Sequence, residues 1–115
     1  MPHCRTFNWD ALLDKLGGDE EFVGSLLAVA LNSNTSMPAD LRAACASVNF
    51  ADLARLAHKV KGTAGDLVAD ELRERAREAE LSAREGKPEA LQLGQGLADA
   101  LDEFLAELRT LTAPG

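Results

Sequence analysis

Residues 50–67 read FADLARLAHKVKGTAGDL. Each residue of an α-helix advances by about 100°, so residues three or four positions apart fall on one side. Five apolar residues of this stretch lie within about 40° of one direction: Leu53, Leu56, Val60, Ala64 and Leu67. The pattern predicts an amphipathic helix that buries this stripe, and such a helix needs other elements to pack against.

The opposite side of this helix carries His58, roughly 140° from Leu53. Small residues share its sector, with Lys61 at the edge: Ala51, Ala54, Gly62 and Gly65. Imidazole can be an unprotonated nucleophile at cellular pH, and an ammonium one turn away can stabilise a phosphorylated product. Gly62 and Gly65 have no side chain, so another backbone can come close to this face. Each glycine inside a helix lowers its stability by roughly 1 kcal/mol relative to alanine.

Cap and turn residues predict two helices before this stretch. Asn8 can cap a helix from Trp9 to about Leu16 that stops at Gly17-Gly18, and Asp19 can cap the next. The second helix has four apolar residues on one side: Phe22, Leu26, Leu27 and Ala30. The polar run 32–36 is expected to end it.

Three further helices are predicted around residues 50–67. Ser36 can cap the third, with Pro38 in its first turn, and Asn49 ends it. It carries Leu41, Ala44, Cys45 and Val48. The fifth spans about 70–85 and stops at Gly86, and Pro88 opens the sixth, which has a regular apolar stripe. The stripe comprises Leu93, Leu97, Leu101, Phe104, Leu108 and Leu111. We therefore expect one all-helical domain over residues 1–115, with its helical core at about 8–111.

Composition supports this interpretation and excludes several classes of function. The chain of 115 residues has no Tyr, four Phe and one Trp, a composition that favours helices over strands. Its net charge of -7 argues against a nucleic-acid partner. Cys4 and Cys45 lack the spacing of a redox or metal site. No apolar run approaches the length needed to cross a bilayer, and the first residues show no signal segment, so we expect a cytoplasmic protein.

Taken alone, His58 has simpler interpretations. An isolated exposed histidine is usually a solvated residue, and Gly65 could be an ordinary helix C-cap. A metal site is disfavoured because Gly62 stands at the i+4 position where a second ligand would be needed. A catalytic triad is also disfavoured, because no serine has a nucleophile-elbow context and the only other histidine is His3.

Residues 57–69, AHKVKGTAGDLVA, resemble the motif of the histidine-containing phosphotransfer family. That motif is His-x-x-Lys-Gly, followed by small residues, a glycine, an apolar residue and a Gly-Ala pair. Residues 13–22 also resemble the family, as do four positions of the next helix and its end: Leu72, Ala76, the Ala79-Glu80 pair and Gly86. The resemblance covers about residues 8–111.

The resemblance implies an antiparallel four-helix bundle, formed by the third to sixth helices and capped by two shorter N-terminal ones. It implies that His58 is the phosphoacceptor and that Lys61 stabilises the phosphoryl group. It also implies a docking surface for a receiver domain, formed by Ala51, Ala54, Arg55, Gly62 and Gly65. The sequence departs from the family at Val68, where glycine is usual, and at Asp66, where asparagine or a small residue is common. Both departures bear on partner fit.

The function that follows is that of a phosphocarrier and not of an enzyme. His58 would accept a phosphoryl group from a receiver phospho-aspartate and pass it to a second receiver, the partners being receiver domains of hybrid sensor kinases and response regulators. The chain would bind no cofactor, because Mg²⁺ belongs to the receiver, and we expect a monomer. Two alternatives remain open: the phosphoacceptor module of a chemotaxis-type histidine kinase, and a helical interaction module in which His58 is incidental.

Overall fold

A computed structural model describes residues 3–113 and contains six helices. They are α1 (Trp9–Lys15), α2 (Glu20–Asn34), α3 (Met37–Ala46), α4 (Phe50–Asp66), α5 (Asp70–Arg84) and α6 (Glu89–Thr112). Over these residues there is no strand. The prediction of an all-helical fold is confirmed, and most of the boundaries lie within two residues of those expected.

Four of the helices contact one another in a closed ring. α4 packs most extensively against α5, α5 packs against α6, α6 against α3, and α3 against α4. α2 lies on α6, and α1 contacts α2. The connections within the ring are short, at residues 47–49, 67–69 and 85–88. One continuous core fills the space between these helices.

The core contains the stripes expected of α4 and α6. Four stripe residues of α4, and Leu67 directly after the helix, are each at most 3% exposed. Leu97, Leu101, Phe104 and Leu108 of α6 are at most 1% exposed, whereas Leu93 and Leu111 at its ends are partly buried. At Gly94 of α6 an added Cβ would meet the Cys45 Sγ atom at 2.6 Å, so α6 approaches α3 closely there. Cys45 is buried, as expected of a small core residue.

α2 presents a different face to the core from the one predicted. Its buried residues are Val23, Leu27, Ala30 and Asn34, whose spacing of four, three and four residues forms a single stripe. Phe22 lies about 100° from Val23 and is 51% exposed. The prediction that Phe22 shares the core side is therefore wrong.

The polar run 32–36 ends α2 as expected, and its first three residues form the last turn of the helix. The Asn34 Nδ2 atom donates to the Ala30 carbonyl at 2.8 Å, and the Thr35 hydroxyl donates to the Leu31 carbonyl at 2.7 Å. These bonds satisfy the polar side chains within the helix, so α2 spans 15 residues, as long as α5. Ser36 makes no capping bond to α3, because its hydroxyl lies 3.3 Å from an Asp40 carboxylate oxygen.

Two helix ends in the ring are closed by valines in the left-handed conformation. Val48 has φ 52° and Val68 has φ 55°. After α4, the Ala69 N–H donates to the Ala64 carbonyl at 2.8 Å and the Val68 N–H to the Gly65 carbonyl at 3.4 Å, the pattern of a Schellman cap. Gly65 itself has no positive φ, so it is not the residue that closes the helix. The same pattern after α3 leaves Val48 outside the helix and 53% exposed, contrary to its predicted place in α3.

We expect Val48→Gly to raise the free energy of unfolding by about 1 kcal/mol, because a β-branched residue is strained at positive φ and glycine is not. Val48 is half exposed, so little apolar contact is lost. Urea denaturation measures the change. Val29→Gly is the matched control: this 60% exposed valine lies inside α2, where glycine should lower the stability by about 1 kcal/mol. Equal losses in both variants would contradict the strain at Val48.

The segment before α1 is fixed to the bundle by Glu107 of α6. Its carboxylate accepts hydrogen bonds from the backbone N–H of Arg5 at 2.8 Å and of Thr6 at 2.9 Å, and from the Thr6 hydroxyl. Burial is the largest single influence and acts to raise the pKa of Glu107, but these hydrogen bonds and the charge of Arg5 together outweigh it, and the pKa is lowered. The Asn8 N–H also donates to the Val68 carbonyl at 3.0 Å. The segment therefore lies at the end of the bundle where α4 turns into α5.

Candidate functional site

His58 lies on the solvent side of α4 because the core stripe fixes the rotation of that helix. Its side chain is 61% exposed. The exposed ring is nevertheless held in place, since its Nδ1 atom lies 3.0 Å from the Oε2 atom of Glu80 on α5. The extensive packing of α4 against α5 brings these two residues together across 22 positions of sequence.

Glu80 is a buried carboxylate, only 5% exposed, and it forms ion pairs with two cations in addition to its contact with His58. Lys61 Nζ lies 2.8 Å from Oε1 in an ion pair. The Arg84 guanidinium donates to Oε2 from Nε at 2.9 Å and from Nη2 at 2.6 Å. Burial is the largest single influence and acts to raise the pKa of Glu80, but Lys61, Arg84 and His58 together outweigh it and lower the pKa to about 2. Glu80 is therefore ionised at neutral pH.

The ionised carboxylate determines which ring nitrogen of His58 carries the proton. A carboxylate without a proton can only accept hydrogen bonds, so the 3.0 Å contact requires a proton on Nδ1. In the neutral imidazole the other nitrogen, Nε2, then has a free lone pair. Nε2 is on the side of the ring away from Nδ1 and Glu80. The site thus presents an oriented nucleophile with two cations close by.

The glycines of α4 differ in what lies over them. Gly62 is exposed, and a Cβ placed there would have no atom within 4 Å. At Gly65 a Cβ would lie 3.4 Å from the Arg73 side chain, so that position is partly covered. Gly62 is therefore open to solvent one turn from His58, whereas Gly65 is half-buried.

A groove of about 780 Å³ runs between α4 and α5 beside His58. We call it the α4–α5 groove and define it by a floor of Ala51, Ala54 and Ala83 and a rim of Arg55, Lys59 and Arg84. Ala51 is exposed, whereas Ala54 is 4% exposed. The prediction that Ala54 shares the exposed sector is wrong, because α5 packs over that side of α4. Arg55 is exposed and forms an ion pair with Asp52.

Comparison with known families identifies the chain. Residues 25–111 match the family model of the Hpt domain. The chain belongs to the Hpt domain family. Hpt domains are helical phosphocarrier modules that carry out histidine phosphotransfer and work with receiver domains in phosphorelays. No curated protein and no solved structure gives a significant match.

Sequence reasoning missed two residues of this candidate site, Glu80 and Arg84. The available signal was the phase of α5, whose buried residues are Leu72, Ala76, Ala79, Glu80, Ser82 and Ala83. Glu80 follows Ala76 by four positions, so a charged residue stands on the apolar stripe, where a buried counter-charge is needed. That phase does not identify His58 and Lys61 as the partners, because the contact depends on how α4 and α5 pack.

Two further features of the Hpt domain concern metals and membranes. Among residues 3–113, His, Cys, Asp and Glu form no group of three or more that could hold a metal ion. In the same part of the chain, no helix is both long and apolar enough to cross a bilayer.

Proposed function

We propose that His58 accepts a phosphoryl group on Nε2 from the phospho-aspartate of one receiver domain and donates it to a second receiver. The observation that carries this proposal is the hydrogen bond from Nδ1 to the buried Glu80 carboxylate, since it leaves Nε2 as the free nitrogen of an exposed ring. Lys61 lies on the same buried carboxylate and is the cation for the phosphoryl oxygens. Histidine phosphotransfer is the activity of the family, and the atoms, partners and direction are our proposal.

The reaction conserves atoms and charge without a base. The Nε2 lone pair attacks phosphorus, an N–P bond forms, and the P–O bond to the aspartate breaks, with its electron pair remaining on the aspartate carboxylate. The Nδ1 proton stays in place, so positive charge develops on the ring, and Glu80 stabilises it at 3.0 Å. Mg²⁺ on the receiver neutralises charge on the phosphoryl oxygens. The reverse sequence delivers the group to the second receiver.

The scaffold for this reaction is a four-helix bundle, in our proposal. α3, α4, α5 and α6 contact one another in a ring, and three- and four-residue connections turn each helix back along the previous one. α1 and α2 pack outside the ring. This arrangement supports His58 from a rigid helix, and a misplacement of about 1 Å can slow a reaction on the order of a hundredfold.

Incubation with a panel of phosphorylated receivers tests the proposed function. We expect the chain to gain an acid-labile, base-stable phosphate, as an N–P bond requires, and to lose it when a second receiver without phosphate is added. A chain labelled only by an ATP-dependent kinase, and by no receiver, would favour the kinase-module alternative. A chain labelled by neither would favour a helical interaction module.

Gly62 tests access to His58. Because an added Cβ would meet no atom, Gly62→Ala is expected to raise the free energy of unfolding by up to about 1 kcal/mol. Gly62→Gln should keep the fold but slow transfer, because a longer side chain one turn from His58 holds the receiver away. Denaturation midpoints and transfer rates measure both effects, with Gly62→Ala as the control for helix stability. A normal transfer rate in Gly62→Gln would show that receivers do not approach this face.

A further inference from the structure

A second groove, of about 410 Å³, lies between α5 and α6. We call it the α5–α6 groove and define it by Glu78, Leu81, Ser82 and Glu85 of α5 and its C-cap, and by Glu89 and Leu93 of α6. The residues of α5 lie roughly 100–160° around that helix from Glu80, the residue that contacts His58. The α5–α6 groove therefore faces away from His58, and a short segment bound in it leaves His58 exposed.

The rim of the α5–α6 groove is acidic. The Lys87 Nζ atom lines the groove and lies 2.7 Å from a Glu85 carboxylate oxygen. Glu78 and Glu89 are exposed, and their side chains form no ion pair within residues 3–113. Three carboxylates and one ammonium give the groove a net charge of -2. Glu89 stabilises the first turn of α6, but Glu78 lies inside α5 and has no such role.

The floor between these carboxylates is apolar. Leu81 is 47% exposed, and Leu93 is partly buried. An arginine side chain matches both features, because its stem packs along apolar surface while its charged head stays at the rim. Lysine also has an apolar stem, but only the planar guanidinium can donate two parallel hydrogen bonds to one carboxylate. The groove therefore fits arginine better than lysine.

Ser82 is an independent observation that points to a ligand with hydrogen-bond donors. Its side chain is only 7% exposed, and its hydroxyl has no hydrogen-bond partner among residues 3–113. Four other hydroxyls donate to the carbonyl four residues earlier, namely those of Thr35, Ser47, Thr110 and Thr112. Buried polar groups without a partner are uncommon, because they lose their hydrogen bonds to water. A guanidinium in the α5–α6 groove can donate to this oxygen.

We propose that the α5–α6 groove binds an arginine side chain from a basic segment of a partner protein. The stem of the arginine packs on Leu81 and Leu93, its guanidinium pairs with the carboxylates at the rim, and one N–H donates to Ser82. The net charge of -7 adds attraction at longer range. This inference goes beyond phosphotransfer, because it gives the chain a second binding surface whose occupant does not cover His58.

The probe is the peptide acetyl-Arg-Leu-Arg-amide, titrated at low salt into the full chain labelled with nitrogen-15. We expect the amide signals of residues 78–93 to shift and those of residues 50–62 to stay unchanged. Glu78→Gln should weaken binding by about three- to fivefold, the effect of losing one exposed ion pair. Lys87→Gln should strengthen binding by a similar factor, because it frees the Glu85 carboxylate.

Two further variants test the apolar floor and the buried hydroxyl. Leu81→Gln removes no charge, so it should weaken binding and leave the salt dependence of binding as in the wild type. Ser82→Ala removes a buried hydroxyl without a partner, so it should weaken binding without lowering the denaturation midpoint. Unchanged affinity in both variants would overturn the inference.

Glu21→Gln is the matched control for charge. It removes one exposed carboxylate from α2, gives the same net charge as Glu78→Gln, and should leave the affinity nearly unchanged. Equal losses in Glu21→Gln and Glu78→Gln would overturn the inference, because overall charge would then account for binding. Weaker binding by Lys87→Gln, or no shifts at residues 78–93, would also overturn it. Each measurement is made without a receiver, so its outcome is independent of the proposed function.

Discussion

Replacement of His58 by glutamine is expected to abolish phosphoryl acceptance while the helix content and melting temperature stay almost unchanged. Glutamine has no nucleophilic nitrogen, but its amide can still donate a hydrogen bond to the Glu80 carboxylate. The side chain is 61% exposed, so the core does not depend on it. Labelling by a phosphorylated receiver, together with circular dichroism, measures both halves of this result.

His3→Gln makes the same chemical change outside the helical bundle and should keep full acceptance. Labelling of His58→Gln at the normal rate would show that another residue is the phosphoacceptor. A large fall in melting temperature would instead mean that the contact between His58 and Glu80 holds α4 and α5 together.

Glu80→Gln is expected to give the largest loss of stability among the substitutions considered. Glutamine has nearly the shape of a protonated glutamate, so this variant approximates removal of the charge alone. The pKa of Glu80 is lowered from its ordinary value of 4.5 to about 2 in the folded chain. A difference of this size corresponds to about 3 kcal/mol of stability at neutral pH. Urea denaturation at pH 7 should show a loss of that order in Glu80→Gln.

The loss should disappear in acid. The pKa of Glu80 is lower in the folded chain than its ordinary value of 4.5, so ionised Glu80 stabilises the fold above about pH 4.5. This contribution is lost as pH falls toward the folded pKa of about 2. The difference between wild type and Glu80→Gln should therefore shrink between about pH 5 and pH 2. The groups that face this carboxylate are His58, Lys61 and Arg84, all of them basic side chains.

Glu78→Gln, an exposed position on the same helix, is the matched control and should change stability little at any pH. A difference between wild type and Glu80→Gln that stays constant from pH 7 to pH 2 would indicate a packing effect. In that case the carboxylate charge would not be what stabilises the contact between α4 and α5.

The helices and their core faces could be predicted wherever one periodic stripe dominates. In α4 the stripe from Leu53 to Leu67 is unambiguous, and it correctly placed His58 on the exposed side. In α2 apolar residues occur on more than one side, so the sequence could not tell whether Phe22 or Val23 enters the core. The structure buries Val23, and this choice depends on how α2 packs against its neighbours.

The site was predictable in part for a related reason. His58, Lys61 and Gly62 lie on one helix, and helical geometry alone relates their positions. Glu80 lies on the next helix, and its contact with His58 depends on the register between α4 and α5. The burial of Ala54 has the same origin. Contacts within a helix follow from its period, whereas contacts between helices need the packed structure.

The hydrogen bonds from Arg5 and Thr6 to Glu107 have a practical consequence for attaching other molecules. They bring the described N-terminal segment beside the last turns of α6, at the end where α4 turns into α5. Val68 at that turn is ten residues from His58, or about 15 Å along a helix. A fluorophore or surface linker attached within residues 3–6 or in the last turn of α6 would therefore lie at the same end of the bundle, about three helical turns from His58. Immobilised chains would keep that face open to a partner.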